Sequence, residues 1–170
     1  MKLNPSELTI LTSRLIAVSQ RLEHNPNREK EGGILTVGLD GFAQKYCLEV
    51  RTFPWKKRDR YTRLSQEKAY RAYAHCLRRP GVAVSSWQTR DDKDERWGGA
   101  VLFPPLGALA NVISFSGLAE VTDEAVALTL GYKLGLVTDP QYAVRVTQIS
   151  GNPVFEELFQ EFDRTDFPKL

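Results

Sequence analysis

Residues 97–135, WGGAVLFPPLGALANVISFSGLAEVTDEAVALTLGYKLG, constrain this chain more than any other part of it, because they read as one unit of strand, break, strand, glycine turn and capped helix. Gly98 and Gly99 let the backbone enter a strand beside the bulky Trp97, Pro104, Pro105 and Gly107 interrupt the run, and residues 108–115 resume as a second apolar strand. Ser116 and Gly117 stop it. Thr122 has the chemistry of a helix N-cap, with Asp123 and Glu124 in the first turn, where the positive end of the helix dipole favours carboxylates. Such a unit specifies a scaffold, not a reaction.

The flanking segments supply partners for it. Asn4, Pro5 and Glu7 form a helix start, and Leu8, Leu11, Leu15, Val18 and Leu22 then recur at helical spacing, a stripe that must be buried against a sheet or a second subunit. Residues 34–39 and 46–53 read as strands joined through an Asp40-Gly41 turn. A loop over residues 54–62 leads to a helix over residues 64–77 that presents Tyr70, Tyr73 and Leu77 on one side and ends at Pro80-Gly81. β character returns over residues 82–87, and the charged run 90–96 is a solvated connection. A helix is expected over residues 122–137, a break at Thr138-Asp139-Pro140, a further strand over 142–149 and a last amphipathic helix over 153–162.

The Gly98-Gly99 strand, the return strand ending in Ser116-Gly117, the alanine-rich helix led by Asp123-Glu124, and the segment LSQEKAYRAYAH over residues 64–75 together resemble the haem-binding and haem-degrading family that includes the GlcG and HbpS proteins. The likeness covers roughly residues 3–137 and leaves 138–170 as an extension. It implies an α/β domain of the α+β type, a profilin-like antiparallel sheet of about five strands flanked by helices, with the extension adding a C-terminal strand and helix. It also implies a tendency to oligomerise and small-ligand binding, with haem the ligand of some members. Function varies within a fold, so the activity has to come from the site.

At 170 residues and 42 % hydrophobic, the chain has the material for one sizeable core, and residues 1–170 are read as a single domain. No apolar run is long enough for a bilayer and no signal-peptide pattern opens the chain, so a cytoplasmic protein without a membrane partner is expected. Cys47 and Cys76 show no CxxC pairing and fit reduced thiols. A formal net charge of +2 does not demand nucleic acid.

Four constellations carry candidate chemistry. Arg51, Phe53, Trp55, Lys56, Lys57, Arg58, Arg60, Tyr61 and Arg63 form a basic and aromatic segment in which cations could meet phosphates while Trp55 or Tyr61 stacks on a flat ring; a solvated loop is the plainer alternative. Arg71 and His75 lie one helical turn apart, so a carboxylate or haem propionate could meet Arg71 while His75 ligates iron; a solvent-facing histidine near a helix C-terminus is the alternative. His75 and Cys76 are adjacent, point about 100° apart and cannot share one ion. The Ser116-Gly117 turn exposes amides suited to an anion, opposed by Glu120, Asp123 and Glu124. Gly131 and Gly135 place two small residues on one helix face for close packing.

No catalytic motif of the GxSxG, HExxH, Walker or Rossmann kind is present, so any reaction is left open and no metal site is assigned. The candidate cofactor-binding set is therefore Arg71, His75, Gly98, Gly99, Ser116, Gly117 and Glu124, with Trp55, Lys56, Lys57, Arg58 and Arg60 the set for nucleic acid or an acidic protein. The expected protein is a homo-oligomer that binds a small ligand; its cofactor is left open, with haem or another tetrapyrrole one candidate. An interaction module acting through residues 51–63 ranks second and a small enzyme third.

Overall fold

The computed structural model describes residues 3–165. The chain opens with α1 (Pro5–Ser19), which starts where Asn4 accepts a hydrogen bond from the Ser6 amide at 3.0 Å. Then follow β1 (Gly33–Leu39), β2 (Gln44–Val50), α2 (Arg58–Arg78), β3 (Ala100–Phe103), β4 (Asn111–Ser116), α3 (Glu120–Lys133), α4 (Pro140–Ser150) and α5 (Val154–Arg164). The strands form one open sheet in the order β2-β1-β4-β3, every neighbouring pair antiparallel. The β1–β2 hairpin turns through Asp40, Gly41 and Phe42, all at positive φ.

Side-chain alternation along the strands sorts the core into two layers. Leu35, Val37, Val101, Phe103, Ile113 and Phe115 point to the face covered by α1 and α3, and α5 packs over both helices. Ala100, Leu102 and Val112 point to the opposite face, where α2 lies with Ala69, Ala72 and Cys76 against them. Small residues on both sides of this second layer let α2 approach closely: the Ser65 hydroxyl donates to Thr36 Oγ1 at 2.9 Å. The buried face of α2 is thus Leu64, Ser65, Lys68, Ala69, Ala72 and Cys76, and the side that carries Tyr70 and Leu77 faces solvent.

Several expectations are corrected. Among the described residues the sheet has four strands, not the profilin-like five, because residues 82–87 contribute only a Ser85–Val101 bridge and a Leu102 amide to Val84 carbonyl hydrogen bond. Ser85 instead caps the 3-10 turn Ser86–Thr89, and Gln88 Oε1 accepts the Val84 and Ser85 amides that a strand would use. Residues 142–149 form most of α4 rather than a strand. Asp139 caps that helix by accepting from the Gln141 amide, Pro140 takes its first turn, and Tyr142, Ala143 and Val146 bury one side. α3 begins at Glu120, so Thr122 is no cap: its buried hydroxyl donates to Asn25 Oδ1 at 2.9 Å. Gly135 lies past the end of α3 at φ +70, with its amide bonded to Tyr132 O and that of Leu136 to Gly131 O, a Schellman turn.

The stripe Leu8, Leu15, Val18 and Leu22 is buried within the chain itself, as is the alanine-rich side of α3. The α1 stripe thus finds its apolar partner inside the chain. Cys47 is exposed and Cys76 buried, both as free thiols. Among the described residues no helix is long and apolar enough to cross a membrane.

Candidate functional site

Where β1 begins and β4 ends, two glycines lie side by side. Cβ atoms built at Gly32 or Gly117 would run into neighbouring backbone, so side chains are excluded there and the sheet end is left as bare peptide. The chain leaving β2 passes over this end through Phe53 and Pro54, makes the 3-10 turn Trp55–Lys57 and enters α2. A cleft opens between these parts. Its outer portion, about 520 Å³, is lined by Gly32, Phe53, Pro54, Trp55, Tyr61 and Gly117 among others. Its inner portion, about 250 Å³, includes Lys57, Arg60, Lys68, Trp97, Ser116 and Asp123. Lys30, Lys57, Tyr61 and Gly117 border both, so the two adjoin.

The floor of the inner portion is a buried ion pair. Lys68 Nζ donates to Asp123 Oδ2 at 2.9 Å and to the Phe115 carbonyl at 3.0 Å, and both side chains are almost wholly buried. Gly99 makes room for them: at φ +106 it carries no side chain where a Cβ would sit 2.7 Å from Asp123 Cβ and 3.1 Å from Lys68 Nζ. Burial pushes the Asp123 carboxyl above its ordinary range, while the Lys68 ammonium and the Leu118 amide, which donates to Asp123 Oδ1 at 3.0 Å, pull against that rise. Desolvating two charges is costly, so an ion pair at the base of a cavity points to a functional site more than to a device for stability.

Around this floor, charge is positive. Lys30, Lys57, Arg60 and Lys68 border the inner cleft, and its two carboxylates are already engaged, Asp123 by Lys68 and Glu120 by Arg90 and the Gly98 amide. Arg60 makes only a 3.7 Å contact to Glu95. In the outer cleft the Phe53 and Tyr61 rings meet at 5.7 Å, and Trp55, 78 % exposed, stands at the mouth.

The residues expected to carry function are distributed unevenly about this cleft. Lys57, Arg60, Ser116 and Gly117, drawn from two separate constellations, line it together, and Trp55 stands at its mouth. The basic segment is a 3-10 turn and the start of α2 rather than a loop. Lys56 lies over the Trp55 ring, and Arg58 pairs with Glu49 away from the cleft. Gly98 accommodates the Trp87 ring, where any side chain would collide. Arg71 is fully committed: its guanidinium donates to Glu67, to the carbonyls of Ser86, Thr89 and Trp97, and to the Thr89 hydroxyl, pinning residues 86–97 to α2. His75 is half-buried at the far end of α2, about 27 Å from Lys57 at the helical rise. Burial, with Arg79 and Arg78 adding repulsion, lowers its pKa from 6.5. Glu124, on α3, is wholly buried, accepting from Ser85 Oγ at 2.7 Å, from Asn152 Nδ2 at 3.0 Å and from Ser150 Oγ.

Sequence reasoning missed Lys68. A signal existed, since a lysine at 68 sits in the i, i+4 series Leu64, Lys68, Ala72, Cys76 that forms the buried stripe of α2. Compared with protein-family models, with curated proteins and with solved structures, the chain matches none, and the likeness to the GlcG/HbpS-type family rests on the quoted residues alone.

Proposed function

We propose that the chain binds a small molecule in the cleft between the Gly32–Gly117 sheet end and the start of α2. One observation carries this reading: segments far apart in sequence, residues 53–61 and 116–118, close around one cavity whose floor is the buried Lys68–Asp123 pair. Concave sites with an apolar wall and a few convergent polar groups are where ligands bind. The haem form of the reading stands on a different place. His75, kept neutral by burial and by Arg79 and Arg78, suits iron ligation, but Arg71 has no donor left for a propionate, and the cleft contains neither histidine nor cysteine.

The test is thermal denaturation against a library of small metabolites. A ligand present at 100 times its Kd stabilises the fold by about 2.7 kcal/mol, which at 2–4 °C per kcal/mol is roughly 5–11 °C. Compounds that raise the midpoint in the native protein and lose the effect in Tyr61→Ala support the cleft. Hits indifferent to Tyr61→Ala, or a Soret band from added haemin that His75→Ala abolishes, move the site elsewhere.

A second reading draws on Trp55. Its exposure beside Lys56, Lys57 and Arg60 gives a stacking platform for a single-stranded nucleic acid. Phosphate contacts release counterions, so that binding falls steeply with salt. Sequence-selective binding that persists at high salt would place nucleic acid ahead of a small ligand.

A further inference from the structure

The division of the cleft into two chemically different parts says more about its occupant than volume does. The outer part offers flat surfaces, the Phe53 and Tyr61 rings, Pro54 and the bare peptide at Gly32 and Gly117, and its polar rim carries the carboxylates of Glu29 and Glu31. Rings and peptide planes of this kind take a flat, conjugated body, which stacks without directional hydrogen bonds. The inner part is cationic. Lys57 has no ion-pair partner among the described residues, Arg60 has only the 3.7 Å contact to Glu95, and Lys30 donates to the Leu118 carbonyl at 3.2 Å, which leaves further ammonium hydrogens to donate. The acids of the inner cleft are engaged by Lys68, Arg90 and two backbone amides.

Three side chains with donor capacity to spare exceed what one carboxylate, a monoanion, needs. They match a phosphoryl group, a dianion with three strong acceptor oxygens. We infer that the ligand of the proposed cleft is a phosphomonoester of a flat aromatic or conjugated molecule, with its phosphoryl group between Lys30, Lys57 and Arg60 and its ring against Phe53 and Tyr61. This rests on the cleft being the binding site, and adds the chemical class.

Calorimetric titration with 1-naphthyl phosphate, 1-naphthoate, 1-naphthol and inorganic phosphate tests it, with amide chemical shifts locating each probe. 1-Naphthyl phosphate is expected to bind at the cleft about tenfold or more tighter than each of the other three, the equivalent of one good added interaction. Lys57→Gln with Arg60→Gln should remove that advantage over 1-naphthol, and Tyr61→Leu should remove the advantage over inorganic phosphate. Lys57 and Arg60 are exposed, so the double variant keeps its fold, which an unchanged melting midpoint verifies. If 1-naphthol or 1-naphthoate binds the cleft as tightly as the phosphate ester, or the double variant binds it unchanged, the inferred class is wrong while the cleft stands. If none of the four probes shifts amides of residues 53–61 or 116–118, both the class and the site are refuted.

Discussion

Removing the ammonium of Lys68 is the perturbation whose consequence the structure specifies most closely. Lys68→Met keeps an unbranched side chain of similar length on the buried face of α2 but leaves Asp123 in the interior with the Leu118 amide and the more distant charge of Lys30, and the Phe115 carbonyl without the Lys68 donor. Breaking a buried pair from one side costs about 3–5 kcal/mol, a third or more of the total stability of many domains. At 2–4 °C per kcal/mol for a chain of this size, the melting midpoint should fall by roughly 6–20 °C at neutral pH. The loss should also depend on pH with a fixed sign. The Asp123 carboxyl, already raised by burial, rises further without Lys68, so its contribution to the variant's stability is fully present below the ordinary carboxylate range and is lost as pH increases through the raised value. Urea unfolding at several pH values measures this. The double variant Lys68→Met/Asp123→Asn retains an acceptor for the Leu118 amide and removes the stranded charge, and it should recover about half or more of the loss. A single variant within about 1 kcal/mol of the native protein, or a double variant no better than the single, refutes the assignment of this pair as a buried, coupled element.

Other consequences follow from the same reasoning. Glu124 is raised by desolvation, against the hydrogen bonds from Ser150, Asn152 and Ser85, so it too contributes stability that is present in acid and lost as pH rises past the ordinary glutamate value; Glu124→Gln should flatten that decline in a series of melts from pH 4 to pH 9. Gly131→Ala places a methyl group into the Phe103 ring, and the overpacking cost of about 1–3 kcal/mol should exceed the gain of about 1 kcal/mol in helix propensity, giving a net loss in urea unfolding. His75 should titrate below 6.5 by NMR, and Arg79→Gln should move it back towards that value.

Much of the sheet was legible because its signals are local. The apolar runs at residues 34–39 and 108–115, the Asp40-Gly41 turn and the Asn4-Pro5 helix start each rest on a few neighbouring residues, and each recurs in the structure, the second run as β4 from Asn111 to Ser116. Residues 142–149 misled because Val144, Val146, Thr147 and Ile149 favour strands, whereas burial selects Tyr142, Ala143 and Val146, a helical spacing set by the surface on which α4 packs. The site was legible in halves. The cations of residues 57–60 and the turn at Ser116-Gly117 each stood out by composition, but their convergence is made by the hairpin and by α2. The Lys68–Asp123 pair spans 55 positions and left only the trace of a lysine on an otherwise buried helix face. Arg71 resembled a ligand-binding residue because an arginine clamp for a loop and one for a carboxylate look alike until the carbonyls of Ser86, Thr89 and Trp97 are in place.

The central claim, that the cleft at the Gly32–Gly117 sheet end is where this protein meets a small molecule, is tested most directly by soaking crystals with a chemically varied fragment library and mapping the bound positions. The account predicts that fragments collect between Tyr61, Lys57 and Gly117, with anionic groups turned towards Lys57 and Arg60. Fragments that gather instead around His75, or on the outer side of α4 and α5 with the cleft filled only by solvent, would contradict it.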